Sequence, residues 1–184
     1  CPAHKTANAT DGICQCDAGY EPRVVAAAAR QCVPCAEGYV KTSIGDASCL
    51  PCTFLGEYQT TVEIGSNTTA ACICEPGFFM KGGTCVQCLQ GASCERGCTL
   101  GSLHVDDNYW RLTADCEDLH QCRSDQSGFS ACVGGAGGGD ALCASGHSGP
   151  LCRVCTQERH FYSASGRCVP CPAAAESDFL RVLL

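Results

Sequence analysis

A small disulfide-rich fold is predicted here: elongated tandem modules with short β-hairpins and little helix. Three observations predict it. Cys occupies 21 of 184 positions, above the ~8–10% that marks a disulfide scaffold. Leu, Val, Ile and Phe together number 33, under the roughly 20% at which a single apolar core becomes doubtful. Two cysteine spacings recur along the chain, so the staples belong to repeated units. Small domains short of core need such staples, and staples persist only in an oxidising compartment. The chain is therefore read as extracellular or cell-surface.

The charge balance excludes other classes. Net charge is −7 and the 12 Lys and Arg are scattered, with no basic stripe for nucleic acid. No apolar run approaches the ~18 residues a membrane span needs, so a membrane is expected only through a segment outside these residues. The chain starts at Cys1 and stops at Leu184. It reads as a processed, truncated fragment, and the odd Cys count leaves one thiol to be accounted for.

The first spacing is Cys-x-Cys followed by Gly-aromatic: Cys14-Gln-Cys16-Asp-Ala-Gly19-Tyr20, then Cys72-Ile-Cys74-Glu-Pro-Gly77-Phe78. The second is Cys-x-x-Cys, at Cys32/Cys35, Cys49/Cys52, Cys85/Cys88, Cys152/Cys155 and Cys168/Cys171. Four segments follow. Residues 1–31 end one module and start the next. Residues 32–88 form the clearest repeat. Residues 89–151 are a variant region around Trp110. Residues 152–184 are a partial module. Glycines at 134, 135, 137, 138 and 139 read as a flexible loop tip. Short strand-like runs lie at 58–64 and 78–80. The Ala-rich stretch 23–30 suggests a turn or two of helix, too short to stand alone. Ser177-Asp178 reads as the cap of a truncated helix.

Zinc is the rival use for these thiols. Cys32/Cys35 with Cys49/Cys52, and Cys152/Cys155 with Cys168/Cys171, fall near the lower edge of zinc-ribbon spacing. Most other Cys stand at spacings of no zinc type. Two sequons, Asn8-Ala9-Thr10 and Asn67-Thr68-Thr69, are usable only in the secretory pathway. The balance favours disulfides, with no metal and no cofactor.

The segment from Cys14 to Cys88 resembles the ephrin-receptor-like cysteine-rich repeat, a relative of EGF-like and TNF-receptor-like modules. The resemblance is carried by Cys14-x-Cys16-x-x-Gly19-Tyr20, Cys32-Val-Pro-Cys35-x-x-Gly38-Tyr39, Cys49-Leu-Pro-Cys52 and Cys72-Ile-Cys74-x-x-Gly77-Phe78. The later part is similar to a companion region of large protist and algal surface proteins. Its marks are Asn108-Tyr109-Trp110-Arg111, Cys132-Val133-Gly134-Gly135 and Gly149-Pro150-Leu151-Cys152. Such proteins continue into a transmembrane segment. The resemblance implies pairing in chain order: Cys1–Cys14, Cys16–Cys32, Cys35–Cys49, Cys52–Cys72, Cys74–Cys85, Cys143–Cys152 and Cys155–Cys168. For the middle, where Cys98 and Cys122 depart from the family pattern, the expected bridges are Cys88–Cys94, Cys98–Cys122 and Cys116–Cys132, the last two interlocking around Trp110. Cys171 is left over, its partner expected beyond Leu184.

No catalytic constellation is visible, so the chain is read as not an enzyme. His4, His104, His120, His147 and His160 form no metal-ligand pair. Gly146-His147-Ser148-Gly149 lacks the spacing of a nucleophile turn. Asp106, Asp107, Asp115, Glu117 and Asp118 read as a solvated acidic face. Trp110 reads as local packing on a disulfide. No exposed apolar patch stands out. The functional reading is a structural or adhesive spacer in a larger secreted or surface protein, such as a filament or flagellar-hair component. Its partners would be other subunits or further domains. The alternative is the ligand-binding ectodomain of a receptor or channel. Glycans are expected at Asn67 first and Asn8 second.

Ten bridges remove two hydrogens each. Intact mass should thus fall about 20 Da below the all-thiol value, with no bound zinc. Mass spectrometry of the unreduced chain reads both.

Overall fold

A computed structural model describes residues 1–8, 10, 12–25 and 29–172. The expected helix after Ser177 lies outside the described residues. The chain divides into two compact units, Cys1–Cys88 with Cys94–Leu100, and Leu89–Ser93 with the chain from Gly101 onward. Among the described residues, regular structure is short antiparallel strands and four short 3-10 turns. No helix there is long and apolar enough to cross a membrane.

The first unit is a succession of hairpins. Lys5–Ala7 pairs with Cys14–Cys16, Tyr20–Val25 with Ala29–Pro34, and Tyr39–Val40 with Leu50–Pro51. Gln59–Thr60 pairs with Ile73–Cys74, and Phe78–Lys81 with Thr84–Gln87. The Ala-rich stretch is thus strand, not helix, on both sides of residues 26–28. Eight residues cannot repay helix nucleation, whereas the strands gain a ladder running from Tyr20↔Pro34 to Val25↔Ala29. In the second unit His104–Val105 lies between Ala92–Ser93 and Gly135–Ala136. Three more hairpins follow, Tyr109–Trp110 with His120–Gln121, His147–Ser148 with Val154–Cys155, and His160–Tyr162 with Cys168–Pro170.

One turn underlies the hairpins. A residue with positive φ starts each loop. Its carbonyl then accepts an N–H from just beyond the returning strand. Gly19 accepts from Cys35 at 2.8 Å, Gly38 from Cys52 at 2.7 Å, and Gly77 from Cys88 at 2.8 Å. These are the Gly-aromatic positions read from the sequence. The same bond recurs at Gly91 with Asp106 and at Gly146 with Thr156. It recurs without glycine at His4 with Asp17, Tyr58 with Glu75, Asn108 with Cys122, and Arg159 with Cys171. Left-handed backbone costs an L-residue about 1–2 kcal/mol, so loop closure must outweigh that cost at these four.

Nine disulfides lock the loops. Six follow in sequence: Cys1–Cys14, Cys16–Cys32, Cys35–Cys49, Cys52–Cys72, Cys74–Cys85 and Cys88–Cys94. Cys143–Cys152 and Cys155–Cys168 close the other end. The middle corrects the expected pairing. Cys122 bonds to Cys132, so neither Cys98–Cys122 nor Cys116–Cys132 forms. Asn108 is the physical reason. Its carbonyl accepts from Cys122 N and its N–H donates to the Cys132 carbonyl, which brings these two together. Cys98, Cys116 and Cys171 lie outside the nine bridges. The Cys98 thiol is buried and donates to the Thr99 carbonyl at 3.5 Å.

Cysteine also makes the interior. Ten of the 17 buried apolar residues among those described are Cys, so packing centres on sulfur. Loops this small aim carbonyls inward with no strand to meet them, and long cations supply the donors. Lys41 is 4% exposed. Its ammonium donates to the carbonyls of Cys16, Asp17, Tyr20 and Gly45 at 3.2, 3.2, 2.7 and 2.6 Å. Burial pushes its pKa down, opposed by the charges of Asp46, Asp17 and Glu21.

In the second unit the buried Arg111 donates through Nε to the Gly137 carbonyl at 2.6 Å. The Trp110 indole N–H donates to the Gly139 carbonyl at 3.0 Å. The glycine run is therefore docked on these residues, not a loose tip. A Cβ at Gly134 would overlap the Val105 carbonyl, and one at Gly138 would overlap Thr113 backbone. Close backbone approach explains those glycines.

A polar cluster ties the last hairpin to the loop before it. Asp125 Oδ1 accepts from Ser127 N, Ser127 Oγ and Phe129 N at 2.6–2.9 Å. Arg167 pairs with Asp125 at 3.2 Å and lies 3.9 Å over the Phe129 ring. The Ser127 hydroxyl, then the Phe129 N–H, hold the Asp125 carboxyl below its ordinary range.

Three outcomes follow from this geometry. Nine bridges put the unreduced mass about 18 Da below the all-thiol value, two hydrogens per bridge. Gly77→Ala meets open space, so it should cost only about 1 kcal/mol of left-handed strain. Gly19→Ala also overlaps the Gly65 carbonyl and should cost about 3 kcal/mol. Thermal unfolding of the oxidised variants checks the order. Asp125 has a lowered folded pKa, so its stabilisation is full above the ordinary carboxylate range and lost as pH falls through the folded value. Protection of the Ser127 and Phe129 amides from hydrogen exchange, measured against the intrinsic rate at each pH, should fall in acid, and Asp125→Ala should remove that loss of protection.

Candidate functional site

The first unit turns an apolar shelf outward. Pro51 is extended and leads into the turn Cys52–Phe54, where Cys52 points in and Phe54 points out. Leu55 N donates to the Cys52 carbonyl and keeps the turn tight. Phe54 is 75% exposed. Leu50 and Leu55, also exposed, join it around a cavity of about 100 Å³ that Val40 and Thr69 help to line. That volume falls below the ~300 Å³ of a small-molecule pocket. It suits contact with a protein side chain. The expectation that no apolar patch is exposed is therefore corrected. Sulfur fills the interior, so apolar side chains on short loops are left outside.

The two sequons differ. Asn67 is exposed, and Thr68 beside it caps the turn Thr69–Ala71 by accepting from Ala70 N. Asn8 is half-buried, and its Oδ1 accepts from Thr10 N at 2.9 Å.

The histidines do not assemble a site. His4 stacks on Tyr20 at 4.1 Å. His104 and His120 sit in strands opposite Ser93 and Trp110. His160 Nδ1 lies 2.9 Å from the Glu158 carbonyl. His147 stands between Phe129 and Tyr162, with Cys168 N–H donating to its Nε2 at 3.3 Å. The Ser148 hydroxyl donates to the Val154 carbonyl at 3.4 Å. Residues 146–149 thus belong to a hairpin, with His147–Ser148 as its first strand. Asp106, Asp107, Asp115, Glu117 and Asp118 do not converge. Among the described residues no three His, Cys, Asp or Glu could hold a metal ion together. The thiols of the candidate zinc ribbons are in bridges, Cys171 excepted.

Trp110 is buried, but on the glycine run, since the two bridges expected around it do not form. Lys41 and the four non-glycine turn residues carry no mark in the sequence that sets them apart. Position gives one clue. His4, Tyr58 and Asn108 continue the spacing set by Gly19, Gly38, Gly77 and Gly91.

Comparison with known proteins agrees with this architecture. The family described as "Tyrosine-protein kinase ephrin type A/B receptor-like" matches residues 24–72. "Cysteine repeat modular protein A" of Toxoplasma gondii is 35% identical over 86 residues, which span 46% of this chain and 3% of that protein. The chain thus spans a small fraction of that relative's length. Among solved structures, a chain of the "Human RANKL/OPG complex" aligns over 65% of this chain and 82% of its own. Identity there is 18% and the TM-score is 0.23, and no conclusion rests on it. The matching family model is one of receptor-like cysteine-rich modules, and the curated relative is a cysteine-repeat protein. The chain is a cysteine-rich repeat protein, and its residues 24–72 match the ephrin-receptor-like repeat.

Proposed function

We propose that this chain is an extracellular spacer, a run of locally closed modules that carries load or holds distance in a larger secreted or surface protein. One observation carries the reading. From Cys1 to Cys94, almost every residue lies inside a disulfide-closed loop, the widest spanning Cys52 to Cys72. Tension applied to the ends passes through sulfur and bypasses the loops. A filament or flagellar-hair component uses this property, and the shelf at Phe54 offers an adhesive contact. Each loop of this size is worth about 3 kcal/mol in the chain-entropy account. Such bridges also resist reduction outside the cell. Glycans at Asn67, and secondarily at Asn8, would suit the same exposed surface.

Single-molecule stretching tests the reading. A free chain lengthens by ~3.3–3.6 Å per residue. The oxidised protein should release almost no length from residues 1–94 and only modest length from 95–121 and 133–142. Reductant should release the full contour. Free extension of the first unit with its bridges intact would refute a load-bearing spacer.

A further inference from the structure

The second unit holds a cavity of about 310 Å³ lined by Arg123, Arg153, Tyr162, Ser163 and Ala164. Two arginines line it, and none of its lining residues is Asp or Glu. That runs against the composition, in which 19 acids outnumber 12 bases. Three other arginines find carboxylates. Arg23 pairs with Glu21, Arg30 with Asp46, and Arg167 with Asp125. No carboxylate of the described residues pairs with Arg123 or Arg153.

The walls are held in place. Arg123 directly follows Cys122, bonded to Cys132. Arg153 follows Cys152, bonded to Cys143. Cys122 and Cys152 are both buried. Tyr162 sits in the strand His160–Tyr162, opposite Cys168 of the third bridge. The His147 ring stands edge-on to the Tyr162 ring at 6.4 Å. Ser163 Oγ is occupied by Ser165 and the Arg167 backbone, whereas the Tyr162 hydroxyl has no such bond among the described residues.

The geometry points to an oxyanion-binding site at Arg123, Arg153 and Tyr162, one that takes a sulfate or phosphate group, free or esterified to a saccharide. Guanidinium forks match tetrahedral oxyanions through paired N–H donors. The phenol adds a third donor and a ring face on which a sugar can lie. The volume reaches the ~300 Å³ at which small-ligand pockets begin and exceeds what a bare ion fills. Backbones pinned by disulfides keep the ordering cost of binding low.

The test is titration of the whole oxidised chain, followed by NMR, with four probes: inorganic sulfate, inorganic phosphate, N-acetylglucosamine 6-sulfate and N-acetylglucosamine. Sulfate-bearing or phosphate-bearing probes should shift resonances of residues 123, 153 and 162, and the neutral sugar should not. Tighter binding of the ester than of the inorganic ions identifies a saccharide ligand. The reverse identifies a free anion. Arg123→Gln and Arg153→Gln should each weaken binding about tenfold. Arg96→Gln, exposed in the first unit, should leave it unchanged. Both cavity arginines are exposed, so their variants should keep the wild-type disulfide mass and melting temperature. The proposal is overturned if no anionic probe binds, or if Arg96→Gln weakens binding as much as the cavity variants do.

Discussion

Each two-stranded hairpin among the described residues depends on one backbone reversal, a left-handed residue whose carbonyl receives the N–H that ends the returning strand. Gly19 and Cys35 show it plainly, as do Asn108 and Cys122. The bond brings the returning strand back to the start of its loop, often at or beside a half-cystine. Sulfur then makes the closure permanent. A net hydrogen bond contributes about 1 kcal/mol, comparable to the strain of a left-handed L-residue. Where a disulfide closes the loop, it stabilises that loop more strongly, because it restricts the unfolded chain. Asn108 shows the two acting together, since its backbone holds both Cys122 and Cys132 and so selects their bridge.

A chain built this way cannot satisfy its inward carbonyls with strands alone. Buried backbone oxygens must still find donors. Lys41 gathers four of them with one ammonium, and Arg111 and Trp110 serve the docked glycine run. Polar side chains thus stand where a larger domain would place Leu or Phe. The consequence appears on the surface. Phe54, Leu50 and Ile64 remain exposed, because an interior of sulfur and backbone has no room for them. The proposed adhesive contact would use such side chains.

The cysteine spacing and the Gly-aromatic pairs determined the fold class, and the family resemblance they carry implied the bridges from Cys1 to Cys85 and those at Cys143–Cys152 and Cys155–Cys168. Those signals are local. A half-cystine close in sequence is close in space, and a glycine at positive φ is a residue type that a motif can display. What the sequence hid is non-local or chemically disguised. Tyr58 and Arg159 do the work of glycine without its name, because loop closure outweighs their strain. The Cys122–Cys132 bridge depends on where Asn108 lands, and chain order says nothing of that. The glycine run looked flexible by composition, but packing against Val105, Trp110 and Arg111 fixed it. Lys41 and the pair Arg123 and Arg153 look like scattered surface charge in one dimension. Only the folded chain decided that the first would be buried among carbonyls and that the other two would share a cavity. Burial and convergence are properties of three-dimensional neighbours, and spacing encodes them only where a covalent bond forces neighbours together.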